Sequence, residues 1–285
     1  MIIVGTRGSA LALAQTRLVT DRLGGDASVR ILRTAGDASD RPLRELGDGV
    51  FVAAIEEALR RGEIDVAIHS LKDLPTDEPD DLAVAAIPER GDPRDVLIGR
   101  ERGGLTALPD GAVIGTSSPR RAAFLGQLRP DATAREIRGN VDTRLRKVHR
   151  GEYDGVIVAA AGLRRLGIPF DEREVLPLDV CPPAPGQGAL ALQIRCSDVA
   201  LHQRLAVLDH RATRLAVTAE RALLRAMGAS CEIPLGAIGR IEGDEILLDA
   251  ALVTGAGVAR AHERGRDPLD VAGRAARVLA EPARV

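Results

Sequence analysis

The chain carries two copies of one local pattern, and that repetition constrains its fold more than any other feature. Ile2-Ile-Val-Gly-Thr-Arg-Gly-Ser-Ala-Leu-Ala-Leu-Ala-Gln15 and Val113-Ile-Gly-Thr-Ser-Ser-Pro-Arg-Arg-Ala-Ala-Phe-Leu-Gly-Gln127 read alike. Each is a short apolar strand, a Gly-Thr turn, a helix start with Ser and an apolar-periodic helix. A second pair follows them. Arg61-Gly-Glu-Ile-Asp-Val-Ala-Ile-His69 matches Arg150-Gly-Glu-Tyr-Asp-Gly-Val-Ile-Val158, each a helix end, a turn and a buried strand. Apolar strands alternating with helices predict α/β layers with largely parallel pairing. Generic α/β chains also reuse Gly-Glu-x-Asp turns, so duplication and shared turn chemistry both stay open on these residues alone.

Two similar lobes are therefore predicted, one from residue 1 and one from near Arg94. Pro88-Glu-Arg-Gly-Asp-Pro-Arg94 reads as a hinge, and Pro182-Pro-Ala-Pro-Gly-Gln-Gly188 as a second break. The strand over 189–195 is expected to return to the first lobe, and a crossing pair of linkers makes a cleft that can hinge. From Arg211 the character changes to a long helical pattern, a tight Gly228-Ala-Ser-Cys231 loop, short strands near 235–240, 245–253 and 258–262, and a helix near 267–279. The expected domains are 1–90 with 189–208, then 94–184, then an α+β domain over 211–285. A length of 285 residues suits two or three such domains. The polar, glycine-rich run Gly36–Gly49 reads as a mobile lid or as an inert surface loop.

Formal net charge is −2 and aromatics make up 1%, so neither bulk charge nor stacking platforms call for nucleic acid or a membrane. No stretch of about 18 or more apolar residues occurs, and the start lacks a leader pattern. A cytoplasmic, unexported protein is expected. Cys181, Cys196 and Cys231 are far apart, which is wrong for a disulfide framework. Cys196 closes an apolar strand and reads as core, and Cys181 reads as packing.

Arginine placement carries the chemistry. Arg7 lies in the first strand-to-helix turn. Arg120 and Arg121 follow Thr116-Ser-Ser-Pro119 at the second, with Pro119 at the first helical position. Backbone amides there are expected to point at open space, and added guanidinium groups make an anion site. Arg138-Gly-Asn-Val-Asp-Thr-Arg144 repeats the design, and Arg165 sits beyond another strand. Ligands of α/β sheets bind outside the carboxyl ends of strands. Arg7, Arg120, Arg121, Arg138, Arg144 and Arg165 are thus expected to converge on a ligand with many anionic groups. Taken singly, each is a solvated surface charge.

Of 39 basic residues, only Lys72 and Lys147 are lysines. Lys72 lies in His69-Ser-Leu-Lys-Asp-Leu-Pro75. Beside a cationic cleft, Asp73 can stabilise a developing cation or pass a proton while Lys72 holds an anion. By itself, Asp73 is equally a capping residue before a Pro turn. Cys231, in Gly228-Ala-Ser-Cys-Glu-Ile-Pro234, sits where a thiol can be exposed and is a nucleophile candidate. The five His residues show no metal-ligand spacing with Cys, so no metal is expected.

Together these segments resemble the porphobilinogen deaminase family. The matching runs are Thr6–Gln15, His69–Pro75, Gly115-Thr-Ser-Ser-Pro-Arg-Arg121, Arg138-Gly-Asn140 with Thr143-Arg144, and Gly151-Glu-Tyr-Asp154. Ala161-Gly-Leu-Arg-Arg-Leu-Gly167, Pro185-Gly-Gln-Gly188, Thr218-Ala-Glu-Arg-Ala222 and the Cys231 loop continue them in the same order. The resemblance implies three domains: two periplasmic-binding-protein-like (type II) α/β lobes with a hinged cleft, and a small C-terminal α+β domain.

It further implies a dipyrromethane cofactor held by a thioether, here to Cys231, and porphobilinogen as substrate. Four substrate molecules are joined head to tail with loss of ammonia, and water releases hydroxymethylbilane. Asp73 matches the essential carboxylate. Ser9, Gln15, Lys72, Thr116, Ser117, Ser118, Gly139 and Gln187 match positions that contact cofactor or substrate, alongside the six arginines. Each pyrrole brings an acetate and a propionate, which gives the arginines a reason. A monomer is implied.

The lid departs from the family pattern. Gly47-Asp48-Gly49-Val50-Phe51 keeps the aromatic Phe51, but Asp48 stands where the family commonly has Lys, and Arg41 or Arg44 is the candidate replacement. Two other readings compete: a two-lobed anion receptor without catalysis, and an inactive relative that keeps the fold.

Overall fold

The computed structural model describes residues 1–24, 26–34, 52–228 and 233–281. It divides into two compact units, Met1–Gly91 with Gly188–Arg214 and Asp92–Gln187 with Leu215–Val285. The first unit opens with β1 (Ile2–Arg7), α1 (Ala10–Thr20), β2 (Ala27–Leu32), α2 (Ala53–Arg60), β3 (Val66–Ser70) and β4 (Leu82–Ala86). The second continues with β5 (Asp95–Gly99), β6 (Val113–Gly115), α3 (Pro119–Leu128), β7 (Thr133–Arg135) and α4 (Val141–His149). Then come β8 (Gly155–Ala159), α5 (Ala160–Arg165) and β9 (Val175–Leu176). The chain returns to the first unit with β10 (Leu190–Arg195) and α6 (Val199–Leu205). It ends with α7 (Arg211–Ala226), β11 (Leu235–Glu242), β12 (Glu245–Thr254), β13 (Gly257–Gly265) and α8 (Pro268–Ala280).

The two five-stranded sheets share one plan. Their orders are β2-β1-β3-β10-β4 and β7-β6-β8-β5-β9. In each, one strand runs antiparallel to the centre: β10 against β3 and β4, and β5 against β8 and β9. In the first sheet that strand arrives after the chain has built the second.

The repeated motifs occupy equivalent places and do equivalent work. Asp65 Oδ2 accepts from Ile3 N–H at 2.8 Å, and Asp154 Oδ2 accepts from Val113 N–H at 2.8 Å. In both, the aspartate's own N–H donates back to the same strand residue's carbonyl at 2.8 Å. The Asp of Gly-Glu-x-Asp therefore clamps the start of the neighbouring parallel strand. Gly62 and Gly151, at φ +68° and +77°, make the left-handed turn that aims it, a conformation a Cβ would strain. Ser9 and Ser118 cap α1 and α3 by accepting from Ala12 and Arg121 N–H.

Alternation along the strands splits the core between two faces. In the first sheet, Ile2, Val4, Val66 and Ile68 pack with Val19, Leu201 and Leu205. The other face gathers Ala67 with Ile55, Leu59 and Ile64. In the second sheet, Val96, Val156 and Val158 meet Ile137, Val148 and Leu163. Its other face joins Leu97, Ile114 and Ile157 to Phe124, Leu125 and Ala251. Each fully buried Leu, Ile or Val contributes about 1.5–3 kcal/mol. Ala251 belongs to β12, so the small C-terminal domain shares core with the second sheet. Its antiparallel meander β11-β12-β13 buries Leu235, Ile246 and Leu248 under α7 and α8. The expected fold class, two α/β lobes and a small α+β domain, is the one found.

One core expectation is corrected. Cys196 is exposed. It follows β10, and its N–H donates to Asp81 C=O at 2.9 Å, so the chain turns out of the sheet there. Cys181 is buried, and burial pushes its thiol up to about 11, which leaves it protonated and unreactive.

Candidate active site

In the first unit the predicted residues leave the carboxyl edge of the sheet. β1 and β3 pair in parallel with Val4 opposite Val66 and Gly5 opposite Ala67, so Arg7 and Ser70 emerge at the same edge. Beyond β3, Leu71–Asp73 forms a single 3-10 turn. Leu71 and Leu74 are buried, whereas Lys72 and Asp73 between them are exposed. The two leucines pin the turn, and the charged pair is thereby turned to solvent. Leu71 N–H donates to Ala189 C=O at 3.0 Å, and Gln15 Nε2 donates to Ser70 Oγ at 2.9 Å. Gln15 is thus a buried brace between α1 and β3. Ser9 is half-buried and holds the helix cap.

His69 sits on the inner side of the same strand end. Its Nε2 lies 3.1 Å from Gln193 Oε1, and Gln193 Nε2 donates to Glu56 Oε1 at 3.0 Å. Burial pushes the imidazole down to about 4, partly opposed by the Gln193 bond.

In the second unit the residues around α3 are wired to the protein itself. Thr116 Oγ1 accepts from Ser118 N–H at 3.1 Å, and Ser117 Oγ donates to Ile137 C=O at 2.6 Å. Arg120 and Arg121 are only 4% and 7% exposed. Arg120 Nη2 reaches Asp95 Oδ2 at 2.6 Å, and Arg121 Nη2 reaches Asp95 Oδ1 at 2.7 Å. Arg120 Nη1 also donates to Pro182 C=O at 2.6 Å, and Arg121 Nη1 to Ile157 C=O at 2.9 Å. Both side chains point inward, where a buried carboxylate and two carbonyls receive them.

Asp95 is 0% exposed. Burial opposes its ionisation, but the Arg120 and Arg121 charges outweigh that and hold its carboxyl well below the usual range. Gln187 is also fully buried. Its Nε2 donates to Asp95 Oδ1 at 2.8 Å and to Pro93 C=O at 2.7 Å, so it too braces the protein.

The remaining second-unit residues lie nearer the surface. Gly139 and Asn140 precede α4, and Arg144 Nε donates to Gly139 C=O at 2.8 Å. Arg138 is half-buried, as is Arg165 at the end of α5. Burial pushes the Arg165 guanidinium down to about 10, still cationic at neutral pH. Cys231, Asp48, Phe51, Arg41 and Arg44 lie outside the described residues. Among the described residues no cluster of His, Cys, Asp and Glu has metal-binding geometry.

Two acids were missed from the sequence. Asp95 heads the apolar strand Val96-Leu97-Ile98, and a charge at the start of a buried strand is itself a signal that it has partners. Glu220 lies inside α7, fully buried. Its Oε2 accepts from Gly186 N–H and its Oε1 from Gly239 N–H, both at 2.7 Å. It ties the 182–187 segment to β11.

A family model described as porphobilinogen deaminase, dipyromethane cofactor binding domain, matches residues 2–203, and one described as porphobilinogen deaminase, C-terminal domain, matches residues 214–280. The chain belongs to the porphobilinogen deaminase family. A porphobilinogen deaminase from Acidothermus cellulolyticus is 51% identical, over 89% of this chain and 80% of that one. Another from Roseiflexus sp. (strain RS-1) is 48% identical, over 87% and 84%. Among solved structures, a periplasmic substrate-binding protein of an ABC transporter from Coxiella burnetii aligns at TM-score 0.45 and 16% identity, covering 75% of this chain and 94% of that one.

Porphobilinogen deaminases are transferases of tetrapyrrole biosynthesis, and this chain's cofactor is dipyrromethane. Its substrate is porphobilinogen, which is condensed head to tail on the cofactor and released as hydroxymethylbilane. The residues present fit such a polyacid. Two guanidinium groups share one carboxylate at α3, and Arg120 Nε is buried without a hydrogen-bond partner among the described residues. No described helix is long and apolar enough to cross a membrane.

Proposed function

We propose that Asp73 is the catalytic carboxylate of this condensation and that Cys231 carries the cofactor. When bound, dipyrromethane supplies the free pyrrole carbon to which the first ring is joined, each later ring joining the terminal ring of the growing chain. The observation that carries the reading is the 3-10 turn after β3, whose buried leucines hold Lys72 and Asp73 outward at a sheet edge shared with Arg7. There Asp73 holds pyrrole N–H groups, stabilises the positive charge that develops as ammonia leaves, and takes up a proton at its carboxylate oxygen. Lys72, Arg7, Arg138, Arg144 and Arg165 hold acetate and propionate groups. Arg120 and Arg121 act from behind, through the positive charge that Asp95 leaves uncompensated. Asp48 and Phe51 belong to the lid.

We further assign the chain three domains, 1–90 with 189–208, 94–184 and 211–285, and the state of a cytoplasmic monomer. The polyacid is the reason for so much fixed positive charge, since like charges this close repel strongly unless offset.

Intact-protein mass tests the reading. Protein from cells able to make the cofactor is expected to carry a covalent adduct of two linked pyrroles, absent from Cys231→Ser. An unmodified wild-type mass would favour the receptor reading instead.

A further inference from the structure

We infer that Asp95 is a positioning residue for ligand binding, setting the basic side chains of α3 from inside the second unit. The inference rests on the polyacid reading of the site. The Asp95 carboxylate receives three groups. Arg121 forks onto Oδ1 through Nη2 at 2.7 Å and Nε at 3.2 Å, Arg120 reaches Oδ2 at 2.6 Å, and Gln187 Nε2 reaches Oδ1 at 2.8 Å. A forked bond fixes the plane of a guanidinium as well as its position. The far side of each guanidinium is fixed too, by Ile157 C=O for Arg121 and Pro182 C=O for Arg120. Each cation is therefore held at two points.

Both arginines lie in the first turn of α3, after Pro119 and the Ser118 whose side chain caps that turn. Fixing them fixes the helix start and the Thr116–Ser118 approach to it. The same carboxylate also holds Gln187, whose amide grips Pro93 C=O. One side chain thus joins the helix start to the segment by which the chain first enters this unit, at Pro93, and to the one by which it leaves, at Gln187.

The charge count separates positioning from mere packing. Two cations face one anion, and Arg120 Nε has no partner among the described residues. The cluster therefore presents one surplus positive charge in a fixed place, suited to an anionic ligand. Asp95→Asn keeps the shape but removes the anchor, and its amide N–H groups face guanidinium donors. A carboxylate that only stabilised the fold would lower Tm when lost and leave KM of the folded protein unchanged.

The test uses holoenzyme from cells that make the cofactor, comparing wild type, Asp95→Asn and Asp95→Glu by intact mass, Tm and steady-state kinetics with porphobilinogen. Asp95→Asn is expected to raise KM about tenfold and to lower the adduct-bearing fraction, with a smaller change in kcat. Asp95→Glu keeps the charge but moves it by one methylene, and is expected to raise KM about threefold. Wild-type KM and loading in Asp95→Asn, whatever its Tm, would overturn the inference. If Asp95→Asn does not fold, Asp95→Glu decides: an unchanged KM at lowered Tm overturns it. A wild-type protein with neither adduct nor turnover sinks the functional reading and this role together, whereas an adduct with unchanged KM in both variants removes Asp95 alone.

Discussion

Burial of His69 beside Gln193 keeps its imidazole neutral in the folded protein down to about pH 4, against an ordinary value of 6.5. The unfolded chain takes up that proton earlier. Stability from the neutral ring is therefore present above pH 6.5 and is lost as pH falls towards 4. Between pH 7.5 and pH 5 this one group should cost about 2 kcal/mol. Urea unfolding at the two pH values checks it: wild type should lose about that much more than His69→Gln, and equal losses would deny the buried neutral ring. Asp73, on the 3-10 turn that follows this strand, is exposed. On its proposed role, Asp73→Asn keeps the pyrrole adduct and lowers turnover about 10²–10⁴-fold, so near-normal rates would remove the assignment. Lys72 and Asp73 were legible because an exposed pair between two leucines is a local pattern. The internal partners of Arg120, Arg121, Gln15 and Gln187 were not legible, because nothing near them in sequence reveals Asp95 or Ser70.

Elements here are positioned by close approach as much as by burial. A Cβ on Gly239 of β11 would lie 2.7 Å from Ala216 C=O and 2.9 Å from its Cα, both backbone atoms of α7. Gly239→Ala is therefore expected to destabilise by about 1–3 kcal/mol through overpacking. In α8, Gly273 has nothing within 4 Å of a built Cβ. Gly273→Ala is expected to stabilise by about 0.5–1 kcal/mol through helix propensity. Paired thermal melts check the opposite signs: an undiminished Tm in Gly239→Ala would contradict the packing of α7 on β11, and a lowered Tm in Gly273→Ala the open space at that position. Strands and helices of the repeated motifs were legible almost to the residue, because their caps, left-handed glycines and strand clamps are all written within a few positions. The close approach at Gly239 was invisible: no local pattern reveals which helix will lie against β11.

At the scale of the molecule, the chain leaves the first unit after Gly91, re-enters it at Gly188 and leaves it again after Arg214. Gly91 N–H donates to Gly188 C=O at 3.1 Å, and Arg90 N–H to Thr213 Oγ1 at 3.1 Å. The predicted hinge and break around Pro88 and Pro182 contain the first two of these points, since proline and glycine clusters mark where regular structure stops. The order of elements, the repeated strand-turn-helix pattern and the family were all determined by the sequence alone. They depend on periodicity, turn chemistry and motif order, which act over a few residues at a time. Only tertiary structure decided that β10 fills a gap between β3 and β4, that Arg120 and Arg121 face a buried Asp95, and that Cys196 lies outside the core. Those outcomes belong to pairings across long stretches of chain, where the partner that satisfies a buried charge or completes a sheet is chosen by the packed whole.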